Sequence, residues 1–255
     1  MTAQYLSLIS WAVASPLAAL EPRFLPALAI TVGFGVLARL LRAVDLSGAV
    51  AGVIATWVIF VTAGPGAFAA VAAVFVLAFI TTRLGYRQKQ FLGTAERRGG
   101  RTASQVLANL GTAAGCGAAS VLTRQPELWL LGLSAALAEA AADTVSSEYG
   151  QASGSSAYLI TTWEIVPGGT DGGISLPGTL AGIAASVLLS LICAAAHLVP
   201  RRWIAITLAA GVLGMFADSY LGALLERRRR LSNDQVNFLS TMIAALLAAL
   251  LARLL

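Results

Sequence analysis

An otherwise apolar stretch of this chain carries three carboxylates, those of Glu139, Asp143 and Glu148. Because Glu139, Asp143 and Ser147 are spaced by four residues, they would share one face of a helix. Glu148 would join them only if the helix ended or bent near Ser146. A carboxylate in a bilayer is costly unless it is paired, hydrated or bound to a cation, so the cluster indicates a cation site. The alternative is structural, with Glu139 paired to an Arg on a neighbouring helix.

Asp218 offers a second carboxylate for the same cation. It is followed by Ser219, as Asp143 is followed by Thr144, so two different segments each supply an Asp beside a hydroxyl. No Lys or Arg lies one turn away from Asp218 in the sequence, so an intrahelical salt bridge does not account for it. Mg²⁺ is a hard cation that commonly binds one or two carboxylates together with substrate phosphates. The two Asp residues therefore predict a Mg²⁺ site.

A polar stripe precedes these carboxylates in the chain and consists of Arg101, Gln105 and Asn109. The three residues recur every four positions and would lie on one face of a helix. Such a stripe can serve structural hydrogen bonds between helices, each worth about 1 kcal/mol. The guanidinium of Arg101 also suits a phosphate, because its planar donors match two phosphate oxygens. The stripe therefore predicts phosphate binding at its Arg101 end.

A Gly-rich turn precedes a later apolar segment, and its candidate phosphate-binding residues are Gly169, Thr170, Asp171, Gly172, Gly173 and Ser175. Such a turn exposes backbone N–H groups, and the start of the following helix adds a partial positive charge. Together these features would hold a di- or triphosphate. The spacing matches neither the P-loop nor the dinucleotide-binding GxGxxG pattern, so a tight structural turn is the alternative. Asp171 would add another carboxylate to the metal site.

Composition predicts an integral membrane protein. Hydrophobic residues make up 58% of the 255 residues and charged residues 11%, with a mean hydropathy of +0.80. The predicted fold is an all-α, polytopic transmembrane helix bundle that forms a single domain over residues 1–255. Cys116 and Cys193 fall inside apolar spans and are interpreted as small buried hydrophobic residues. A spanning helix needs about 20 mainly apolar residues, and we expect about nine spans, with seven or eight also compatible: 4–20, 24–42, 48–63, 66–84, 103–123, 127–145, 176–198, 203–225 and 237–255.

Basic residues give this bundle an orientation. Of the 17 Lys and Arg residues, 12 fall in or beside three loop regions, at residues 39–42, 83–101 and 227–230. With nine spans all three regions lie on one side, which the positive-inside rule makes cytoplasmic. We therefore expect the cytoplasmic membrane as the location, with the site facing the cytosol. The net charge of +5 reflects topology and contact with anionic lipids, and we expect no nucleic-acid partner because no basic soluble domain is predicted.

Six motifs in order resemble those of a known integral-membrane family: Gly100–Asn109, Ala142–Gly150, Leu159–Trp163, Pro167–Gly173, Ala217–Gly222 and Val236–Ser240. The family contains plant phytyl-phosphate kinases and animal transmembrane protein 19, and it is similar to CTP-dependent polyprenol kinases. The resemblance runs from about residue 36 to the C-terminus. We expect residues 46–255 to form the family-like core and residues 1–42 to form N-terminal helices. The family usually has Asn where this chain has Asp171.

The resemblance implies a membrane kinase that transfers the γ-phosphoryl group of CTP or another NTP to a prenyl monophosphate such as phytyl or geranylgeranyl phosphate. Mg²⁺ would be held by Asp143, Glu148 and Asp218, and the turn at 168–173 would bind phosphates. Arg101, with Gln105 and Asn109, would orient one substrate, so the candidate catalytic residues are Asp143, Asp218 and Arg101. The supporting residues would be Glu139, Ser147, Ser219 and Asn237.

Two other classes of protein stay open at this point. A CDP-lipid-type cytidylyltransferase would act on the α-phosphorus of the same nucleotide. A transporter would also use Gly-broken helices and intramembrane carboxylates, although here the polar residues cluster at one face. His197 is predicted near the opposite face and is not assigned as a general base. A homo-oligomer is compatible with the sequence.

Overall fold

Eight helices in the part of the chain that the structure describes are long and apolar enough to cross a membrane. The computed structural model describes residues 20–97, 99–123 and 125–254. The predicted all-α membrane bundle is confirmed, and these helices correspond to eight of the nine expected spans. The expected span at 4–20 lies outside the described residues apart from Leu20.

The helices are α1 (Glu21–Leu40), α2 (Leu46–Ala63), α3 (Pro65–Arg83), α4 (Tyr86–Leu92), α5 (Ala103–Leu122), α6 (Pro126–Ala152), α7 (Leu176–Ala195), α8 (Ile204–Leu221) and α9 (Asn233–Leu254). A 3₁₀ turn at Arg201–Trp203 leads into α8, and a π-helical segment at Gly222–Glu226 extends it. All of these helices except the short α4 belong to candidate spans, α8 together with its two flanking segments.

Helix α6 is the central element of the bundle. It packs against α3, α5, α7, α8 and α9, and every residue of Leu131–Ala142 is buried. The small side chains in this run let neighbouring backbones approach closely. The sequence predicts that this span ends at residue 145, but α6 continues through Ser146 to Ala152. Glu148 therefore lies about 140° around the helix from Asp143 and faces a different neighbour.

The order of the helices places four connecting segments at one end of the bundle, which we call the loop face. These segments are 41–45, 84–102, 153–175 and 227–232. The three basic regions recognised in the sequence therefore share one end, as expected. The segments after α2, α5 and α7 lie at the opposite end, and His197 belongs to the last of them.

A small antiparallel sheet at the loop face is absent from the all-α prediction. It consists of β1 (Ala157–Leu159), β2 (Ile165–Val166) and β3 (Gly173–Ile174), in the order β2-β1-β3. Tyr158 lies opposite Ile165 on one side and Ile174 on the other. Strands of two or three residues leave little periodicity to detect in the sequence. The sheet fixes both ends of the Gly-rich turn, which connects β2 to β3.

Candidate functional site

A polar cavity of about 430 Å³ lies at the loop face and collects residues from α5, α6, α8, α9 and the segments between them. We call it the polar cavity. The structure brings nearly all of the predicted site residues to its lining: Arg101, Gln105, Asn109, Asp143, Ser147, Glu148, Gly169, Thr170, Asp171, Gly172, Gly173, Ser175, Asp218, Ser219 and Asn237. Glu139 is the predicted residue that does not belong to this lining.

Two carboxylates from different helices meet in the polar cavity. Asp143 of α6 and Asp218 of α8 both line it and are close enough to interact electrostatically. The Ser240 hydroxyl on α9 lies 3.2 Å from Oδ2 of Asp218 and 3.0 Å from the carbonyl oxygen of Asn237. Because the hydroxyl has one proton, it donates to one of these oxygens at a time. The Ser219 hydroxyl instead donates to a carbonyl of its own helix.

Glu139 lies beneath the polar cavity, one helical turn before Asp143 and within the bundle. Its side chain is 1% exposed, and within the described residues neither of its carboxylate oxygens has a hydrogen-bond partner. Gly214 of α8 leaves room for it, because a Cβ there would lie 2.5 Å from Cγ of Glu139. The expected structural alternative, an ion pair between Glu139 and an Arg, is not formed in the described part of the chain.

Glu148 is held by Lys89 of the short helix α4. The Nζ of Lys89 lies 2.6 Å from Oε2 of Glu148 and also donates to the carbonyl oxygens of Thr81 and Thr82 at 2.8 Å each. The Thr82 hydroxyl donates to Oε1 of Glu148 at 2.9 Å. Both oxygens of Glu148 are therefore engaged by the protein, although the residue borders the same cavity as Asp143.

Arg101 is positioned through its backbone. Its N–H donates to the carbonyl oxygen of Ala43, and its own carbonyl accepts from the N–H of Asp45, at 3.0 Å each. Gly48 permits this approach, because a Cβ there would collide with the carbonyl oxygen of Arg101. The Nε of Arg101 lies 3.9 Å from Oε2 of Glu96. The backbone of Arg101 is therefore held by the segment between α1 and α2, and its side chain borders the polar cavity.

The other two members of the polar stripe also have structural roles in α5. Gln105 forms a capping box with Thr102, whose backbone N–H donates to Oε1 of Gln105 at 2.8 Å. The Nδ2 of Asn109 donates to the carbonyl oxygen of Gln105 at 2.9 Å. These bonds order the start of the helix that follows Arg101.

Asp45 caps α2 beside the Arg101 backbone. Its Oδ1 accepts hydrogen bonds from the Gly48 N–H at 2.8 Å and the Ser47 hydroxyl at 2.7 Å. These two bonds, the first above all, hold the pKa of Asp45 below its usual value. Asp45 is therefore an ionised carboxylate at the loop face whose role is to begin a helix.

The Gly-rich turn packs against the π-helical segment that extends α8. Gly169 and Gly172 have φ values of +84° and +75°, in the left-handed region that favours glycine. A Cβ on Gly172 would also lie 2.5 Å from the backbone nitrogen of Ala223. Ser175 caps α7, since its side chain accepts from the Gly178 N–H at 3.2 Å. The turn thus lies against a π-helical segment, a type of distortion that is frequent at functional sites.

Five charged or amide side chains of the cavity are not among the site residues predicted from the sequence: Glu96, Arg97, Gln151, Glu226 and Asn233. Glu226 ends a span and precedes four Arg residues, so in the sequence it belongs to a charged stop region. In the structure the π-helical segment carries it close enough to Asp171 to interact electrostatically. A departure from α-helical geometry of this kind leaves no periodic signal by which the sequence could have revealed it.

The polar cavity has an excess of negative charge. Its described lining contains the carboxylates of Glu96, Asp143, Glu148, Asp171, Asp218 and Glu226, with Arg97 and Arg101 as its basic residues. Even with Lys89 counted against Glu148, six carboxylates meet three cationic side chains. An anionic phosphate substrate would be repelled here unless cations accompanied it.

The carboxylate oxygens of the polar cavity suit a metal ion that is bound partly by the protein and partly by oxygens of the substrate. Within residues 20–97, 99–123 and 125–254, no three His, Cys, Asp or Glu side chains are grouped so as to hold a metal ion. Mg²⁺ does not require such a group, because it usually retains water or phosphate oxygens beside one or two carboxylates. Asp143 and Asp218, with oxygen donors in a negatively charged cavity, fit this second arrangement.

Comparison with known proteins identifies one matching family and several relatives. The family described as "Integral membrane protein DUF92" matches residues 29–245. "Protein VTE6, chloroplastic" of Arabidopsis thaliana is 34% identical over 206 residues, covering 77% of this chain and 60% of that protein. An uncharacterized membrane protein of Synechocystis is 34% identical over 195 residues, covering 75% of this chain and 76% of its own length.

An archaeal relative covers a smaller part of the chain. An uncharacterized membrane protein of Methanocaldococcus jannaschii is 38% identical over 124 residues, covering 48% of this chain and 51% of that protein. This chain thus spans less than two thirds of the length of the Arabidopsis and Methanocaldococcus proteins. No solved structure matches it.

Proposed function

Because the chain belongs to the integral membrane protein family DUF92, we propose that it is a membrane kinase that transfers the γ-phosphoryl group of CTP or another NTP to a prenyl monophosphate. The chain's membership of this family confirms the resemblance that the six sequence motifs indicate. The resemblance to plant phytyl-phosphate kinases supports the reaction class. The donor nucleotide and the lipid acceptor are our inference from that resemblance and from the chemistry of the polar cavity.

The polar cavity is the observation that carries this proposal. It places Asp143 and Asp218 near the Arg101 guanidinium and the Gly-rich turn, at one end of a helix bundle built for a membrane. Phosphoryl transfer requires mainly the positioning of two phosphates and stabilisation of their charge. A cavity with carboxylates for a cation and with cationic and N–H donors for phosphates meets both requirements.

Each group in the cavity has a role in this hypothesis. Asp143 and Asp218 would hold Mg²⁺, which when bound neutralises phosphate charge around the reacting phosphorus. The turn at 168–173 would bind the nucleotide phosphates, and Arg101 with Arg97 would bind the phosphate of the lipid. An oxygen of the prenyl phosphate forms the new bond to the γ-phosphorus while the bond from that phosphorus to the β–γ bridging oxygen breaks. The products are a prenyl diphosphate and a nucleoside diphosphate.

No general base is needed for this reaction, because the acceptor is an ionised phosphate. His197 lies in the segment after α7, at the end of the bundle opposite the loop face. It has no part in the proposed transfer. The positive-inside rule supports a cytoplasmic loop face, where NTP substrates would be available.

A transporter fits the structure less well than a kinase. A translocation pathway would require polar groups near the midplane of the bilayer and access from both sides. In α6 the buried run Leu131–Ala142 is apolar apart from Ser134 and Glu139, and the helix packs against five other spanning helices. The polar cavity therefore ends inside the bundle at the loop-face side.

The proposal is tested with purified protein in detergent or nanodiscs. We expect Mg²⁺, CTP and geranylgeranyl or phytyl phosphate to yield the corresponding diphosphate and CDP. Other NTPs would be compared as donors in the same assay. Failure to form any prenyl diphosphate across a panel of prenyl phosphates and all common NTPs would contradict the proposal.

A further inference from the structure

A second cavity, of about 510 Å³, lies between α1, α2, α3 and α5. We call it the apolar cavity, because aliphatic and aromatic side chains form most of its walls within the bundle. Its volume falls in the usual range of ligand sites, about 300–1,000 Å³. Five residues line both cavities: Glu96, Arg97, Arg101, Gln105 and Asn109. The two cavities therefore adjoin at the side chains proposed to bind a lipid phosphate.

The apolar cavity has a charged end and an apolar end. Arg42, Arg83 and Arg101 line it at the loop face. Val71 lines it on the same helix as Arg83 but twelve residues away, which is about 18 Å along the helix axis. Because the hydrocarbon core of a bilayer is about 30 Å thick, this wall reaches roughly to the midplane. The cavity thus runs from cationic side chains into the apolar interior.

The deep part of this cavity offers almost nothing for hydrogen bonding. The rings of Phe34 and Phe75 pack edge to face with centroids 4.9 Å apart and form part of the wall. Thr56 also lines it, but its hydroxyl donates to the carbonyl oxygen of Gly52 at 2.7 Å. A nucleoside would leave its polar base edge unsatisfied here, which is costly. A hydrocarbon chain has no hydrogen bonds to lose here, and it makes apolar contacts with the walls of the cavity.

We propose that the apolar cavity binds the isoprenoid chain of the acceptor lipid and that its depth selects the chain length. This inference rests on the proposed function for the identity of the phosphate head group. The phosphate would lie at the junction of the two cavities, beside Arg97 and Arg101, and the chain would extend past Gly52 toward Val71. The acceptor is thereby held by the protein rather than only by the surrounding lipid.

Gly52 is the position at which chain length can be tested. It lies one turn below Gly48, whose Cα adjoins the Arg101 backbone, and a Cβ on Gly52 would meet Cγ1 of Val106 at an ordinary 3.8 Å. A Cβ at Gly52 is therefore accommodated without a backbone shift, and because Gly52 lines the cavity, a larger side chain there would occupy part of it. Replacing Gly inside a helix also raises helix propensity by up to about 1 kcal/mol, which favours folding.

The experiment compares kcat/KM for dimethylallyl phosphate, whose single isoprene unit is too short to pass Gly52, and for geranylgeranyl phosphate in the wild type and Gly52→Leu. We expect Gly52→Leu to lower kcat/KM for the longer substrate by about 10- to 100-fold, the discrimination that an apolar pocket achieves through steric fit. We expect the value for the shorter substrate to change by less than about threefold. Gly33→Leu is the matched control, because Gly33 is exposed on α1 and a Cβ there has no neighbour within 4 Å among the described residues. If Gly52→Leu lowered kcat/KM equally for both substrates, or for neither, the proposal would be overturned.

Photolabelling separates failure of this inference from failure of the proposed function. Geranylgeranyl phosphate with a diazirine at its apolar end should label the wall near Phe34 and Phe75 in the wild type, and Gly52→Leu should abolish that label. If the wild type transfers no phosphate, the proposed function fails, but this labelling pattern still supports the chain site. Label confined to the lipid-facing surface, or to residues 1–19, overturns the inference even when phosphate transfer is observed.

Discussion

The Nζ of Lys89 lies 2.6 Å from Oε2 of Glu148, with the two side chains 1% and 15% exposed. This ion pair joins the short helix α4 to the last turns of α6. It also ties both helices to the end of α3, through the carbonyl oxygens of Thr81 and Thr82. The segment that follows α4 carries Glu96, Arg97 and Arg101 into the polar cavity. The pair therefore positions one wall of the site.

The first prediction concerns this buried pair. Lys89→Met and Glu148→Gln should each destabilise the protein by about 3–5 kcal/mol, because each leaves the other partner buried without its counter-charge or full hydrogen bonding. The double variant Lys89→Met/Glu148→Gln should melt at a higher temperature than Lys89→Met alone. Thermal unfolding in detergent measures this, and Arg87→Met on the exposed face of α4 should melt like the wild type. If the loss of stability in the double variant equalled the sum of the losses in the two single variants, the two residues would act independently.

The second prediction concerns the carboxylates. Asp143→Asn and Asp218→Asn should each reduce turnover by more than about 100-fold, because Asn keeps the shape of the side chain but removes the charge that Mg²⁺ needs. Melting in metal-free buffer should change little. Isothermal titration should show weaker Mg²⁺ binding in the presence of a nucleotide.

The matched control for these variants is Asp45→Asn, since Asn also caps a helix well and the Asp45 side chain caps α2 without lining the polar cavity. It should retain activity within about twofold. Near-normal turnover in Asp143→Asn would remove this residue from the metal site. A large loss of melting temperature in metal-free buffer would indicate a structural role instead.

The third prediction concerns the Gly-rich turn. Gly172→Ala should raise KM for the nucleotide and lower the melting temperature, because a Cβ there combines a left-handed φ with a contact of 2.5 Å to the Ala223 nitrogen. Gly93→Ala is the control, since Gly93 has the same φ of +75° but no atom within 4 Å of its added Cβ among the described residues. Gly93→Ala should lower the free energy of unfolding only by its conformational strain, about 1–2 kcal/mol. Equal effects of both substitutions would mean that backbone strain alone matters.

The fourth prediction concerns orientation. Ser153 is exposed at the loop face and Gln125 at the opposite end. If the loop face is cytoplasmic, Ser153→Cys should react with an impermeant thiol reagent only after the membrane is permeabilised, whereas Gln125→Cys should react in intact cells. Cys116 and Cys193 are buried and should give little background. The reverse labelling pattern would place the polar cavity outside the cytosol.

Composition and periodicity were enough to predict the bundle and the cluster of residues at its loop face. The spacing of Arg101, Gln105 and Asn109, and the isolated Asp residues in apolar segments, pointed to side chains that do line one cavity. These predictions depend on helical periodicity and on the cost of charge in a bilayer, both of which are local properties of a sequence.

The features that the sequence did not predict depend on contacts between distant segments. Lys89 was counted only as one basic residue of a loop, whereas it is fully buried against Glu148, 59 positions later. Glu148 would share a helix face with Asp143 only if the helix ended or bent near Ser146, and α6 continues to Ala152 instead. The short sheet and the π-helical turn at Glu226 likewise arise from tertiary packing, which single-sequence patterns do not encode.

The most direct test of the proposed reaction follows two labels in one incubation. Purified protein would receive Mg²⁺, geranylgeranyl phosphate and CTP labelled at the α- or the γ-phosphate, with Asp218→Asn as the inactive control. A kinase moves the γ-label alone into the lipid and releases CDP, and this is the result that we predict. Transfer of the α-label with release of pyrophosphate would contradict it and identify a cytidylyltransferase. Transfer of neither label, with any prenyl phosphate and any common NTP, would contradict an enzymatic role in prenyl phosphorylation.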